Sequence, residues 1–342
     1  MMRNVLNGRR TNYCCRLSVI LLLVIPIGAV SAASPSPLQI HDATNTTPAG
    51  PEDLIENLPL DAAARASLSA AVRNHHYIRA EQIVLGAIKQ NPKSPQLLSF
   101  LGGIYFLYGD YLECAVAMKK ADALAPLSNP DRFTLAMAYV VLNHSDWAQP
   151  EVERLARSDP RNPLYFYWLS RISYNQNHFD QGVAEAQKAI QLDSGFTRAY
   201  DDLGLCYEAL GKYDLAIQSY RSAIALNREG KPPSPWPPLD LGALLVKLNK
   251  LNNAEPFLEE ALHDDPRFPE AHFRLGLLLQ AEGREDDAIR QFKTAAALNP
   301  NYAEPHYALG RAYERMGNQR QARAEFALFE RLKQANLKRK PR

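Results

Sequence analysis

The chain has 342 residues, of which 46% are hydrophobic and 22% charged, and a net charge of +2. That length and mix suit a soluble chain with a large buried core. The near-neutral balance gives no argument for nucleic acid, which is not an expected partner.

The first segment reads as an export signal. Arg3, Arg9, Arg10 and Arg16 precede an apolar run at residues 17–30, which is 14 residues long and too short for a comfortable membrane span. Val30-Ser31-Ala32 and Ser31-Ala32-Ala33 both carry small residues at cleavage-site spacing. Residues 1–33 are therefore expected to be a signal peptide cleaved after Ala32 or Ala33, with export to the periplasm or the extracellular space. A membrane is a partner only if this segment stays uncleaved as an anchor. Residues 34–60, rich in Ser, Pro, Thr and Ala at their start, are expected to be a disordered spacer.

From residue 61 the chain keeps a regular beat. Leu101-Gly102, Leu135-Ala136, Leu169-Ser170 and Leu203-Gly204 follow one another at 34 residues, as do Leu241-Gly242, Leu275-Gly276 and Leu309-Gly310. One step, from Gly204 to Gly242, is 38. A period of this size marks a solenoid. Residues 61–230 hold five units and residues 235–336 three. Residues 231–234 open a proline-rich stretch that reads as a structural joint between the two sets. Trp236 there either plugs the joint or stands exposed. Residues 337–342 form a short basic tail, read as a solvated helix end.

Several residue types recur together. Residues 269–302 carry His272, Leu275-Gly276, Leu279, Gly283, Ala288, Phe292, Ala295 and Pro300. Residues 197–230 carry Tyr200, Leu203-Gly204, Tyr207, Gly211, Ala216, Tyr220 and Ala223. This pattern closely resembles the tetratricopeptide repeat family. The resemblance implies an all-α fold, a right-handed α-solenoid of about eight helix-turn-helix repeats with the first helices lining a concave face. The glycine after Leu lets the second helix approach the first. Gly109, Gly211, Gly283 and Gly317 can take positive φ and close the first helix. A closing proline stops the second helix. No unit buries its apolar face alone, so stacking supplies the core.

The resemblance also implies that repeat positions 2, 5, 9, 12 and 13 point into the groove. From the second to the fourth repeat these supply Phe106, Leu107, Phe133, Met137, Val140, Tyr167, Arg171 and Tyr174, the expected partner-binding groove. The fifth repeat turns polar, with Arg198, Asp201, Leu205 and Glu208. The last gives Glu304, Tyr307, Arg311, Glu314 and Arg315. An aromatic groove with an arginine suits an extended or helical peptide with apolar anchors; the competing reading is that these side chains pack between neighbouring first helices.

No catalytic constellation is legible. The exported part has no phosphate-cradling glycine loop, no His-Glu-x-x-His and no Cys-x-x-Cys, so neither an enzyme nor a cofactor is expected. His144 with His178, and His272 with His306, share repeat positions but lack a third ligand, so no metal site is expected. Cys114 and Cys206 sit three repeats apart and read as small buried residues rather than a disulfide. The expected function is an exported, non-catalytic scaffold that binds a protein or peptide ligand on its concave face. The alternatives are a dedicated helper subunit of a cell-envelope assembly or polysaccharide-export machine, and an enzyme whose site hides in the groove.

Overall fold

The computed structural model describes residues 51–230 and 232–339. The proposed signal peptide and the first part of the spacer lie outside the described residues. Within them the chain forms seventeen helices and no strand. A short α1 (Pro51–Glu56) precedes eight helix pairs. These are α2 (Ala62–Arg73) with α3 (Tyr77–Gln90), α4 (Pro95–Tyr108) with α5 (Tyr111–Asp122), and α6 (Asn129–Val141) with α7 (Ser145–Ser158). Next come α8 (Pro163–Asn175) with α9 (Phe179–Leu192), and α10 (Thr197–Ala209) with α11 (Tyr213–Asn227). The last three are α12 (Trp236–Lys247) with α13 (Leu251–Asp264), α14 (Pro269–Ala281) with α15 (Glu285–Leu298), and α16 (Ala303–Arg315) with α17 (Gln319–Arg339). The protein is an all-α repeat solenoid.

The turn inside each pair has one recurring device. His75, Gly109, Asn143, Asn177, Gly211, Asn249, Gly283 and Gly317 all take positive φ, and all fall at repeat position 15. Glycine and asparagine tolerate that conformation best, which explains why Asn replaces Gly without changing the turn. Helix starts are set by proline at the first turn of α4, α6, α8, α12 and α14. Ser94, Ser128 and Asn162 cap α4, α6 and α8 by accepting a backbone N–H.

Packing within a pair depends on a small residue facing a large one. A Cβ on Gly204 would lie 2.4 Å from the ring of Tyr220, and one on Gly276 2.5 Å from Phe292. Repeats with a bulkier residue at position 8 carry a smaller one at position 24: Ala136 is matched with Val152, and Ser170 with Ala186. First helices of neighbouring units also touch, α4 with α6, α8 with α10, α10 with α12 and α12 with α14; no two second helices make comparable contact among the described residues. The first helices therefore form the tighter, inner wall.

One expectation is revised. Residues 51–60, read as disordered spacer, instead hold α1 and bury Ile55 and Leu58 against the first repeat, because those two apolar side chains cover its otherwise open end. At the proline-rich stretch, of the two places open to Trp236, plugging the joint or standing exposed, the structure has the first. Trp236 is buried, edge-on to Phe268 at 4.7 Å, and belongs to one apolar cluster with Tyr220 and Ile224 upstream and Leu258 downstream. Asn227 clamps the insertion: its Nδ2 donates to the Ser234 carbonyl and its Oδ1 accepts from the Ser234 N–H, both at 2.8 Å. The apolar core divides further upstream, within α10, where Ala199 belongs to the first cluster and Leu205 to the second.

Candidate functional site

The inner wall changes character along the solenoid. In the second to fourth repeats, Phe106, Met137, Val140, Tyr167 and Arg171 are buried, Phe133 and Tyr174 half-buried, and Leu107 exposed. Five of the eight groove residues read from the sequence are thus held in the packing between neighbouring helices. The reason is ordinary: an apolar side chain on the inner wall gains most by closing against the next first helix. Tyr167 lies against Trp168 and Phe196 with ring centroids 5.3 Å apart in each case, and Phe133 against Tyr165 at 6.1 Å.

At the other end the wall stays open. A cleft of about 520 Å³ lies between α14, α16 and α17, lined by Phe273, Leu277, Gln280, Tyr307, Arg311 and Phe329 among others. Tyr307 is 47% exposed, although its ring meets Phe326 and Phe329 at 5.8 and 5.3 Å. Gln280 Nε2 and Glu304 Oε2, both from this lining, are enclosed without a hydrogen-bond partner. One is a donor and the other an acceptor, the pair of groups that an extended backbone can satisfy. Arg315 is held by Glu285 at 2.6 Å. Tyr307, Arg311 and Arg315 occupy the groove positions that the repeat pattern assigns to the last unit.

Between these ends, where the apolar core divides, lies a layer of buried charge. Arg171 on α8 donates to Asp202 on α10 at 3.0 Å, and both are buried. Burial works against the Arg171 charge, but Asp202 and Tyr167 more than offset it and hold the guanidinium protonated. Asp201 on α10 and Asp240 on α12 are half-buried. Asp201 Oδ1, Asp202 Oδ2 and Asp240 Oδ2 are enclosed with no hydrogen-bond partner. Burial pushes the Asp202 carboxyl up to about 6, against the pull of Arg171. Asp240 is pushed up to about 7, by burial first and also by Glu208 and Asp202, with Arg274 and Arg171 opposing. Asp201 is raised well above the usual carboxylate range by burial, then by Asp240 and Asp202. Glu208 is engaged elsewhere, accepting from Lys247 Nζ at 3.0 Å and from Tyr220 at 3.2 Å. Arg198 lies over the Tyr167 ring at 5.4 Å.

Asp202 and Asp240 stand at repeat position 6 of adjacent units, with Asp201 beside Asp202. Two acids at one position in consecutive repeats was the available signal. It does not by itself distinguish a solvated ladder from a buried one. Cys114 and Cys206 are free and buried, and Cys206 Sγ fills the space beside Gly182.

Models of the tetratricopeptide repeat match residues 133–195 and 197–229, and a further TPR repeat model matches residues 280–317. The BBSome complex member BBS4 of Bos taurus is 26% identical over 240 residues, 69% of this chain and 44% of that protein. Protein O-mannosyl-transferase TMTC1 of Homo sapiens is 25% identical over 171 residues, 49% of this chain and 19% of that protein. The chain thus spans less than half the length of these two relatives. A tetratricopeptide repeat protein from Parabacteroides merdae ATCC 43184 superposes with a TM-score of 0.63 at 17% identity, covering 77% of this chain and 98% of that one.

Proposed function

This chain is a tetratricopeptide repeat protein, and from that premise we propose that it is a non-catalytic scaffold that binds an extended peptide segment of a partner protein along its concave face. The observation that carries the proposal is the open cleft on α14, α16 and α17. It combines an exposed aromatic anchor, a flanking arginine and an unpartnered donor and acceptor in one place. Aromatic and arginine side chains in a partly enclosed cleft are the usual anchors of peptide recognition. The buried aromatics of the second to fourth repeats stiffen the wall rather than contact the peptide. Action outside the cytoplasm is part of the same proposal. It rests on the basic N-terminal residues and the apolar run at 17–30.

The test uses the full chain. Peptides selected on it by display are titrated against the parent protein, Tyr307→Ala and Arg311→Ala. Both side chains are exposed, so the variants keep the fold. Each is expected to weaken binding by about tenfold, corresponding to ~1.4 kcal/mol. Unchanged affinity in both variants overturns the assignment of the cleft.

A further inference from the structure

We infer that Asp201, Asp202 and Asp240 form a receptor for one arginine guanidinium of the peptide that occupies the concave face. The inference deepens the proposed function and rests on its reading of that face as a binding groove. The three carboxylates come from first helices of adjacent repeats, α10 and α12, which pack on one another. Asp202 is 4% exposed, and its second oxygen is left without a partner after Arg171 has taken the first. One oxygen of each of the half-buried Asp201 and Asp240, Oδ1 and Oδ2 respectively, is likewise enclosed without a hydrogen-bond partner. An enclosed carboxylate oxygen with no donor is costly, and here three share one layer.

The surrounding charges do not satisfy them. On α8 the neighbours are Arg171, Tyr167 and Tyr174; on α10, Arg198, Cys206 and Glu208; on α11, Tyr220; on α14, Arg274. Arg171 is bonded to Asp202, Arg198 stacks on Tyr167 and Phe196, and Arg274 lies over Phe273 at 5.9 Å. Lys247, on α12, is bonded to Glu208. Among the described residues none of these cations reaches Asp201 Oδ1 or Asp240 Oδ2. The arrangement holds in the free protein because protons neutralise carboxyls that cannot all ionise together. A bound cation replaces that proton, which leaves for the buffer.

The geometry favours a guanidinium. Its planar fork of donors can reach more than one carboxylate, and it is more weakly hydrated than an ammonium. The wall already accommodates a guanidinium on an aromatic face, that of Arg198 on Tyr167, and half-buried Tyr174 borders the same layer. Among the described residues no three His, Cys, Asp or Glu side chains converge as metal ligands do, so an organic cation suits the site better than a metal ion.

The probe is Nα-acetyl-arginine amide. It is titrated into the full chain carrying ¹³C-labelled Asp carboxyls, beside the uncharged citrulline isostere and Nα-acetyl-lysine amide. The arginine probe is expected to bind at least about tenfold more tightly than the citrulline probe. With a carboxyl near 7 to deprotonate, its affinity is expected to rise about tenfold from pH 6 to pH 8. Asp240→Asn is expected to weaken binding and flatten that profile; Asp201→Asn, checked for folding by circular dichroism, serves the same purpose. Equal binding of arginine and citrulline, or a profile flat with pH in the parent chain, overturns the inference. Preference for lysine overturns the guanidinium assignment. Display-selected peptides that still depend on Tyr307 while the arginine probe fails would sink this receptor alone; loss of both would sink the groove reading as well.

Discussion

Two charge clusters, one across the second and third repeats and one at the fourth to sixth, differ in how completely they are paired. Arg132 on α6 donates to Glu151 at 2.5 Å and to Asp122 at 3.1 Å, and Arg154 and Lys119 reach Glu151 from the surface. Asp122 also accepts the Leu127 N–H. Each Arg132-facing acid therefore has a cation. In the second cluster three acids share the layer with Arg171, and three of their oxygens have no donor. The same backbone thus carries a closed ion network that ties two repeats together and an open one that retains unsatisfied capacity. Pairing, rather than burial, separates a structural charge from a receptive one.

Removing the cation from each cluster gives the sharpest contrast. Arg132→Met leaves the buried Glu151 and the half-buried Asp122 without this partner and is expected to cost about 3–5 kcal/mol in urea unfolding. Arg171→Met is expected to cost less, about 1–3 kcal/mol, and less at pH 5 than at pH 8, since Asp202 can take up a proton. Equal losses in the two variants, independent of pH, would erase the distinction.

The pH dependence tests the open cluster directly. Asp202 and Asp240 have carboxyls raised in the folded chain to about 6 and about 7. The folded protein therefore holds protons that the unfolded chain has already released. The contribution of these groups to stability is fully present at low pH and declines as pH rises from about 4 to about 7. Asp240→Asn is expected to raise the thermal midpoint at pH 8 and to flatten its fall between pH 5 and 8. A midpoint that still falls as steeply would assign the dependence elsewhere.

The smallest expected effect lies outside both clusters. Leu112 on α5 is 60% exposed, and Leu112→Gln is expected to change stability by less than about 0.5 kcal/mol and leave peptide binding unchanged. A large loss of binding would move the partner from the inner wall to the second helices.

The glycines illustrate how far the repeat could be read in advance. The interval of 34 residues, with Leu-Gly and a turn residue in register, implies helix pairs because only those spacings let a small residue meet a large one and a left-handed residue close the turn. Gly204 against Tyr220 and Gly276 against Phe292 bear out the packing. Groove position was also legible for Tyr307 and Arg311, which do line the open cleft. Exposure was not. Met137 and Val140 hold the same positions in their repeats as open residues elsewhere, yet they are buried. Position within a repeat sets a side chain's direction; its neighbour in the next repeat sets whether room remains.

The amino-acid sequence by itself determined the solenoid, the place of each turn and the inner-wall positions, because those follow from local periodicity and the sterics of single residues. Only the tertiary structure decided that the proline-rich stretch is bridged by Trp236 and Asn227, that the core divides within α10, and that Asp201, Asp202 and Asp240 meet without enough donors. Each of these depends on side chains from different repeats coming together, and on how burial there raises the cost of charge.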